Sequence, residues 1–286
     1  MLDEVLDFLD LRPGDKVLDA TLGGGGHSKA ILQRITPGGM LLGCDADPEA
    51  IERSRELLKD FAGSFKLVQG NFRYLKETLN NEGLEKIDAA LFDIGVSSYQ
   101  MDEPGRGFSI KNPGPLDMRM DPGQKVSAKD LVNRLREEEL SGLIKDFGEE
   151  RFHRRIARAI VERRREKKIE TTDDLASVIY RAVGGRRGKL DPATRTFQAI
   201  RIAVNDELAA LKDGLEQVVT RLNAGGRLAV ISFHSLEDRI VKNKFKEYSA
   251  RGLVKILTKK PVRPTDAEVA ENPRSRSGRL RVAERI

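Results

Sequence analysis

Residues 13–45, PGDKVLDATLGGGGHSKAILQRITPGGMLLGCD, constrain the fold more than any other stretch. An apolar segment at Val17 and Leu18 ends in Asp19, and glycines run from Gly23 to Gly26. A helical pattern follows, then a second apolar segment from Met40 to Leu42 that ends in Asp45. This is the first half of a nucleotide-binding βαβ unit. Glycines let the backbone turn tightly and approach a ligand, and an acid roughly 20 to 25 residues on can hold ribose hydroxyls. A dinucleotide fingerprint wants its third glycine inside the helix. Ser28 stands there instead. The loop is also led by an acid, in the spacing Asp-x-x-x-Gly-x-Gly. That variant suits a ligand with a cationic amino-acid tail, such as S-adenosylmethionine, better than a pyrophosphate.

The alternation continues beyond Asp45. Residues 48–60 predict a helix with Pro48 in its first turn, and Phe65 to Gln69 a third strand running into Gly70, Asn71 and Phe72. Residues 73–81 are helical, and Ile87 to Phe92 form a fourth strand ending at Asp93. Strands alternating with helices make a parallel sheet, whose ligands lie beyond the carboxyl ends of the strands. Asp19, Asp45, Phe72 and Asp93 all fall at such ends.

The next strand pattern, at 227–233, comes too late for an ordinary crossover, so the interval holds an insertion. Its first part, 104–123, is a Gly- and Pro-rich loop; helical patterns follow at 128–135, 137–147, 149–167 and 173–183. Thr171 and Asp174 are spaced as a capping box at the start of the last of these. From Thr196 to Leu222 apolar residues recur every three or four positions, which predicts one long amphipathic helix back to the sheet. The expected organisation is a nucleotide-binding domain in two parts, 1–103 and 196–286, around an all-helical insertion at 104–195.

Composition narrows the function. No apolar run reaches the roughly 18 to 20 residues of a membrane span, so no membrane partner is expected. The single cysteine, Cys44, excludes an internal disulfide and suits the cytoplasm. The widely spaced His27, His153 and His234 give no metal-ligand pattern, so no metal is expected. The net charge is +6, but unevenly spread: residues 151–168 hold nine Arg or Lys against two Glu, and 255–286 nine against four acids. So lopsided a run exceeds internal pairing and points to a nucleic acid, with Arg163, Arg164 and Arg165 as expected phosphate contacts.

Two stretches carry the expected chemistry: DIGVSSYQMD at 93–102 and SFHSLEDR at 232–239. Methylating a base amine needs acceptors around the exocyclic nitrogen, to localise a lone pair that is otherwise conjugated into the ring. Asp93, Ser97 and His234 are the candidates. Each also has an ordinary structural reading, as a helix cap, a loop hydrogen bond or a buried histidine.

At these residues the chain resembles the bacterial small-subunit ribosomal RNA cytosine-N4 methyltransferases, the MraW-like methyltransferases. The shared segments run nearly end to end in order: DATLGGGGHS, DIGVSSYQ, RGFSI, GPLDMRMD, FGEERFHRRIARAI, TRTFQAIRIAVNDEL, ISFHSLEDRIVK, KPVRP and NPRSRSGRLRVAER. The resemblance implies an α/β, Rossmann-like class I methyltransferase with a mostly parallel seven-stranded sheet and a helical insertion. The implied substrate is a decoding-centre cytidine of 16S rRNA in the small subunit or its precursor. The implied S-adenosylmethionine site is Gly25, Gly26 and His27 in the loop, Asp45 on the ribose, Phe72 beside the adenine, then Asp93 and Gln100. The family begins with a short His- and Pro-containing segment, whereas this chain starts almost at the first helix. Monomer and dimer both remain open. Two rivals stand: an NAD-dependent oxidoreductase, and a non-catalytic RNA-binding protein that keeps the fold.

Overall fold

A computed structural model describes residues 1–185 and 191–286. It divides into two compact units, Met1–Gly95 with Leu208–Ile286, and Val96–Glu207. The expected insertion lies inside the second, apart from residues 186–190, which fall outside the described residues.

The first unit opens with α1 (Leu2–Leu9), β1 (Lys16–Asp19), α2 (Gly26–Ile35), β2 (Met40–Asp45) and α3 (Pro48–Leu57). β3 (Phe65–Gln69), α4 (Leu75–Asn81) and β4 (Ile87–Asp93) follow. The second unit holds α5 (Ser98–Asp102), α6 (Ala128–Arg134), α7 (Glu137–Gly148), α8 (His153–Glu166), α9 (Thr172–Val183) and α10 (Thr194–Asn205). The chain re-enters the first unit through α11 (Glu207–Val219), then β5 (Leu222–Ser232), α12 (Ser235–Ala250), β6 (Val254–Ile256), α13 (Asp266–Glu271) and β7 (Arg279–Arg285).

The sheet has seven strands in the order β3-β2-β1-β4-β5-β7-β6. The first five are mutually parallel and β7 runs antiparallel to both its neighbours. Both faces are covered, so the strands read as continuous apolar runs rather than as alternating polar and apolar residues. Leu18, Leu42, Ala90, Phe92 and Val230 pack on one face with Leu75, Leu79, Leu211, Leu215 and Phe245. Val17, Leu41, Ala89, Leu91 and Ile231 pack on the other with Val5, Leu9, Ile31 and Ile35.

Within the second unit one core joins all the major helices, from Val132 and Leu140 through Ile156 and Ile160 to Leu175, Ile179 and Ile200. The Thr171–Asp174 capping box forms as the spacing predicts. The long helix expected over 196–222 is instead two helices, broken at Asp206, whose φ of 47° is left-handed. Side-chain bonding explains the break. Asn205 Nδ2 donates to the carbonyls of Met118 (2.8 Å) and Arg201 (2.9 Å), and its Oδ1 accepts from Met120 N (2.8 Å). Arg201 forks onto Glu207, both contacts 2.8 Å. These bonds outweigh the cost of a left-handed non-glycine residue, which apolar periodicity cannot register.

Candidate active site

The parallel topology delivers the ends of β1, β2, β4 and β5 to one edge. The loop after β1 is built around Asp19, which is 0% exposed. Asp19 accepts from Ser28 Oγ (2.7 Å) and Thr21 N (3.2 Å). Ser28, a departure from the dinucleotide pattern, thus ties the first turn of α2 to the strand that precedes it. Burial pushes the Asp19 carboxyl up from its ordinary value, with Ser28 opposing. Gly25 caps α2 at φ 76°, and a Cβ there would meet Ser54 Oγ at 2.8 Å. At Gly26 a Cβ would meet nothing within 4 Å. No side chain caps the first N–H groups of α2, the arrangement that can receive an anionic group such as an amino-acid carboxylate.

Asp45 holds the loop from the other side. Its Oδ2 accepts from Gly23 N (2.8 Å) and its Oδ1 from Asp47 N (2.9 Å). Burial raises this carboxyl too, opposed by those backbone bonds. Phe72, just past β3, sets its ring edge-on against Phe92 with centroids 5.8 Å apart. It is half-buried.

At the end of β4, Asp93 N donates to Thr21 Oγ1 (2.6 Å), which locks β4 to the glycine loop. Asp93 Oδ2 lies 3.4 Å from His27 Nδ1. Asp93 Oδ1 is buried with no hydrogen-bond partner among the described residues. Burial first, with Glu237 adding, pushes the carboxyl up to about 7. Burial also lowers the pKa of His27. Both shifts favour the uncharged forms at this contact.

At the end of β5, His234 is the N-cap of α12. Its Nδ1 accepts from Glu237 N (3.4 Å), and Glu237 Oε2 accepts from Phe233 N (2.8 Å). His234 Nε2 lies 3.0 Å from Glu237 Oε1 but is not aligned for a hydrogen bond, and it has no hydrogen-bond partner among the described residues. Glu237 is 0% exposed. Two neighbouring strands thus end in buried polar atoms without partners, an arrangement rare in folded proteins unless something else is bound.

The structure brings Gly25, Gly26, His27, Asp45 and Asp93 together around one loop and sets His234 at the end of the adjoining strand. Ser97 and Gln100 belong to the second unit, where they form the capping box of α5: Ser97 Oγ accepts from Gln100 N (3.2 Å), and Gln100 Oε1 from Ser97 N (3.1 Å). Sequence reasoning missed the structural work of Asp19, Thr21 and Ser28. The Asp-x-Thr spacing before the glycines was the available signal. Glu237 stood out only as an acid near His234, and its bond to Phe233 N and its place beside His234 Nε2 were not foreseen. These residues fit S-adenosylmethionine: an uncapped helix start for its carboxylate, an acid for its ribose, and an aromatic ring beside the acid-bearing strand ends.

Comparison with known proteins agrees. The model of the MraW methylase family matches residues 1–286. The chain is 51% identical to the ribosomal RNA small subunit methyltransferase H of Geotalea uraniireducens (strain Rf4) over 304 residues, covering 100% of this chain and 97% of that protein. It is 49% identical to the protein of the same name from Persephonella marina (strain DSM 14350 / EX-H1), covering 99% and 97%. Among solved structures, a candidate methyltransferase from Streptococcus mutans in complex with SAH superposes with a TM-score of 0.50 at 14% identity, over 100% of this chain and 97% of that one. This last likeness speaks for the fold alone. The chain belongs to the MraW methylase family, and it is a methyltransferase whose cofactor is S-adenosylmethionine.

Proposed function

We propose that this methyltransferase acts on ribosomal RNA of the small subunit, and that its target is the exocyclic N4 amine of a decoding-centre cytidine in 16S rRNA. The curated relatives, at about half identity over the whole chain, are named for methylation of small-subunit rRNA. The observation that carries the amine target is the buried Asp93 Oδ1, an acceptor with no hydrogen-bond partner among the described residues. His234 stands at the end of the adjoining strand, its ring proton on Nε2 because Nδ1 accepts from Glu237 N. The carboxylate oxygen suits a base amine, which donates, and the His234 N–H suits an acceptor on the ring beside it. A ribosomal substrate would put the enzyme in the cytoplasm.

When bound, S-adenosylmethionine supplies a methyl carbon made electrophilic by its sulfonium. Gly25, Gly26 and His27 would hold the amino-acid tail, Asp45 the ribose, and Phe72 the adenine; Gln100 would complete the site. The target cytosine must be unstacked for its amine to reach these residues. Asp93 Oδ1 then accepts a hydrogen bond from the amine and draws its lone pair out of conjugation. Receiving the methyl group, with the sulfur leaving as a neutral thioether, would make the amine cationic. Asp93, poised near pH 7, is suited to receive the proton it sheds. Ser97 and His234 are proposed as neighbours of the amine; Ser97 keeps its own O–H to donate while its oxygen caps α5. Positioning is the main contribution expected of the site, with roughly 7 kcal/mol or more available from orientation.

The test is transfer from methyl-labelled cofactor to small subunits purified from a strain lacking the gene, followed by nucleoside mass spectrometry. N4-methylcytidine is the expected product. Label at carbon 5, on a ribose oxygen, or nowhere on small-subunit rRNA would overturn the reading.

A further inference from the structure

The charge run of the second unit resolves into two regions with different surroundings. The denser one, Arg163 to Arg165, is partly engaged within the fold. Arg164 Nη1 donates to the Val132 carbonyl (2.7 Å), tying α8 to the end of α6, and Arg163 Nη1 donates to the Lys167 carbonyl (3.1 Å). Burial lowers the pKa of Arg164, in keeping with a structural role. The other region faces a groove. Helices α8 and α9 border an open depression of about 310 Å³, lined by Arg154, Arg155, Arg158 and Arg181 with Glu162 as its one acid.

All four arginines are exposed. Arg158 lies 3.7 Å from Glu137, and Arg181 donates to the Ser177 carbonyl of its own helix. Arg154 and Arg155 have no carboxylate partner among the described residues; Arg155 rests above the Phe152 ring, 5.8 Å from its centroid. Their placement opposes helix electrostatics. A helix start carries partial positive charge and favours acids, and α7 opens with Glu137, Glu138 and Glu139, α9 with Asp173 and Asp174. α8 has no acid in its first turn, where Arg154 and Arg155 stand, and Arg158 follows at the three- and four-residue spacings that set like charges side by side. The crowding of Arg154, Arg155 and Arg158 costs the helix start, and an anion in the groove would relieve it.

We propose that the α8–α9 groove is a cradle for the RNA phosphate backbone, and that Arg154, Arg155, Arg158 and Arg181, rather than Arg163 to Arg165, make its main contacts. This rests on the ribosomal RNA reading above. Guanidinium forks match phosphate oxygens in pairs, and exposed side chains on two helices can follow a bent backbone. Such contacts fix where the RNA lies without reading its sequence.

The test measures binding of a small-subunit rRNA fragment across a salt series. It compares wild type with the triple variant Arg154→Gln, Arg155→Gln, Arg158→Gln and with a control, Arg165→Gln, Lys168→Gln. Thermal unfolding and cofactor affinity, expected unchanged, verify the fold. The triple variant should bind at least about tenfold more weakly at low salt, and its log–log salt slope should be shallower by at least about 0.7, one phosphate's worth. The control should lose less. If the triple variant fails to fold, Arg181→Gln on α9 carries the same expectation with a smaller change. An unchanged slope in a folded groove variant, or an equal loss in the control, overturns the groove while wild type still binds and methylates rRNA. A wild type that neither binds nor methylates rRNA overturns the functional reading and the groove with it.

Discussion

The sheet edge of the first unit and helix α8 of the second are both rich in candidate residues, yet they differ in how closely a residue's place in the chain fixes its role. A parallel sheet sends every strand end to one edge, so Asp45 and Asp93 are nominated by position alone. Helix α8 carries six of the nine basic residues of the run at 151–168, and only packing separates Arg164, which holds the fold, from Arg154, which does not. Topology designates residues; charge density designates only a segment.

The comparison breaks most easily at Asp45. If position alone nominates it, Asp45→Ala should weaken S-adenosylmethionine binding by about 1.5 to 3 kcal/mol, the range for hydrogen bonds to a charged group. Because Asp45 also accepts from Gly23 N, part of that loss would come from a loosened loop. Calorimetric titration of a folded variant decides it, and unchanged affinity would take Asp45 out of the site.

His234 sharpens the comparison, since it is both a cap and a candidate at the amine. His234→Ala should slow single-turnover transfer by roughly tenfold, about 1.4 kcal/mol of transition-state contact, with cofactor affinity spared. His234→Asn restores a capping side chain. If it restores stability but not the rate, the amine-side role stands; if it restores both, the residue is only a cap.

Acid titration tests the strand end itself. Asp93 is raised from its ordinary 3.8 to about 7, so between those values the folded protein keeps a proton that the unfolded chain has lost. Stability should therefore fall as pH rises through that window, and Asp93→Asn should make the fall shallower, the raised Asp19 and Asp45 supplying what remains. Over the same window kcat/KM of wild type should climb toward a plateau above about pH 7, as the carboxylate becomes able to accept. A flat profile would show that the charge state of Asp93 is irrelevant.

The smallest effects lie within the basic run. Arg164→Gln should cost about 1 kcal/mol of stability through the lost bond to Val132, whereas Arg165→Gln should stay within about 0.5 kcal/mol. Urea midpoints distinguish them, and equal effects would erase the contrast between held and exposed arginines.

Much of this was legible in the chain because parallel strands announce themselves as apolar runs ending in special residues. The four helical patterns of the second unit were legible for a similar reason, and Thr171 with Asp174 marked a helix start by spacing alone. Three things were not. The break at Asp206 hides inside an unbroken apolar period, since it depends on where Asn205 finds partners about 85 residues away. β7 mixes Leu280, Val282 and Ala283 with arginines and pairs antiparallel at a position that no βαβ pattern foretells. Ser28 looked like a missing glycine, because a pattern records what a position lacks. Its bond to buried Asp19 belongs to the folded state alone.

The central claim is that the partnerless oxygen of Asp93 orients the substrate amine. Single-turnover methyl transfer to unmethylated small subunits, with saturating cofactor and enzyme, tests it in Asp93→Asn, where the amide keeps the shape but loses an acceptor oxygen and the ability to take a proton. The account predicts a rate at least about a hundredfold below wild type, in the range for removing a positioned acid–base group, in a variant that still unfolds cooperatively. Transfer at the wild-type rate would contradict it.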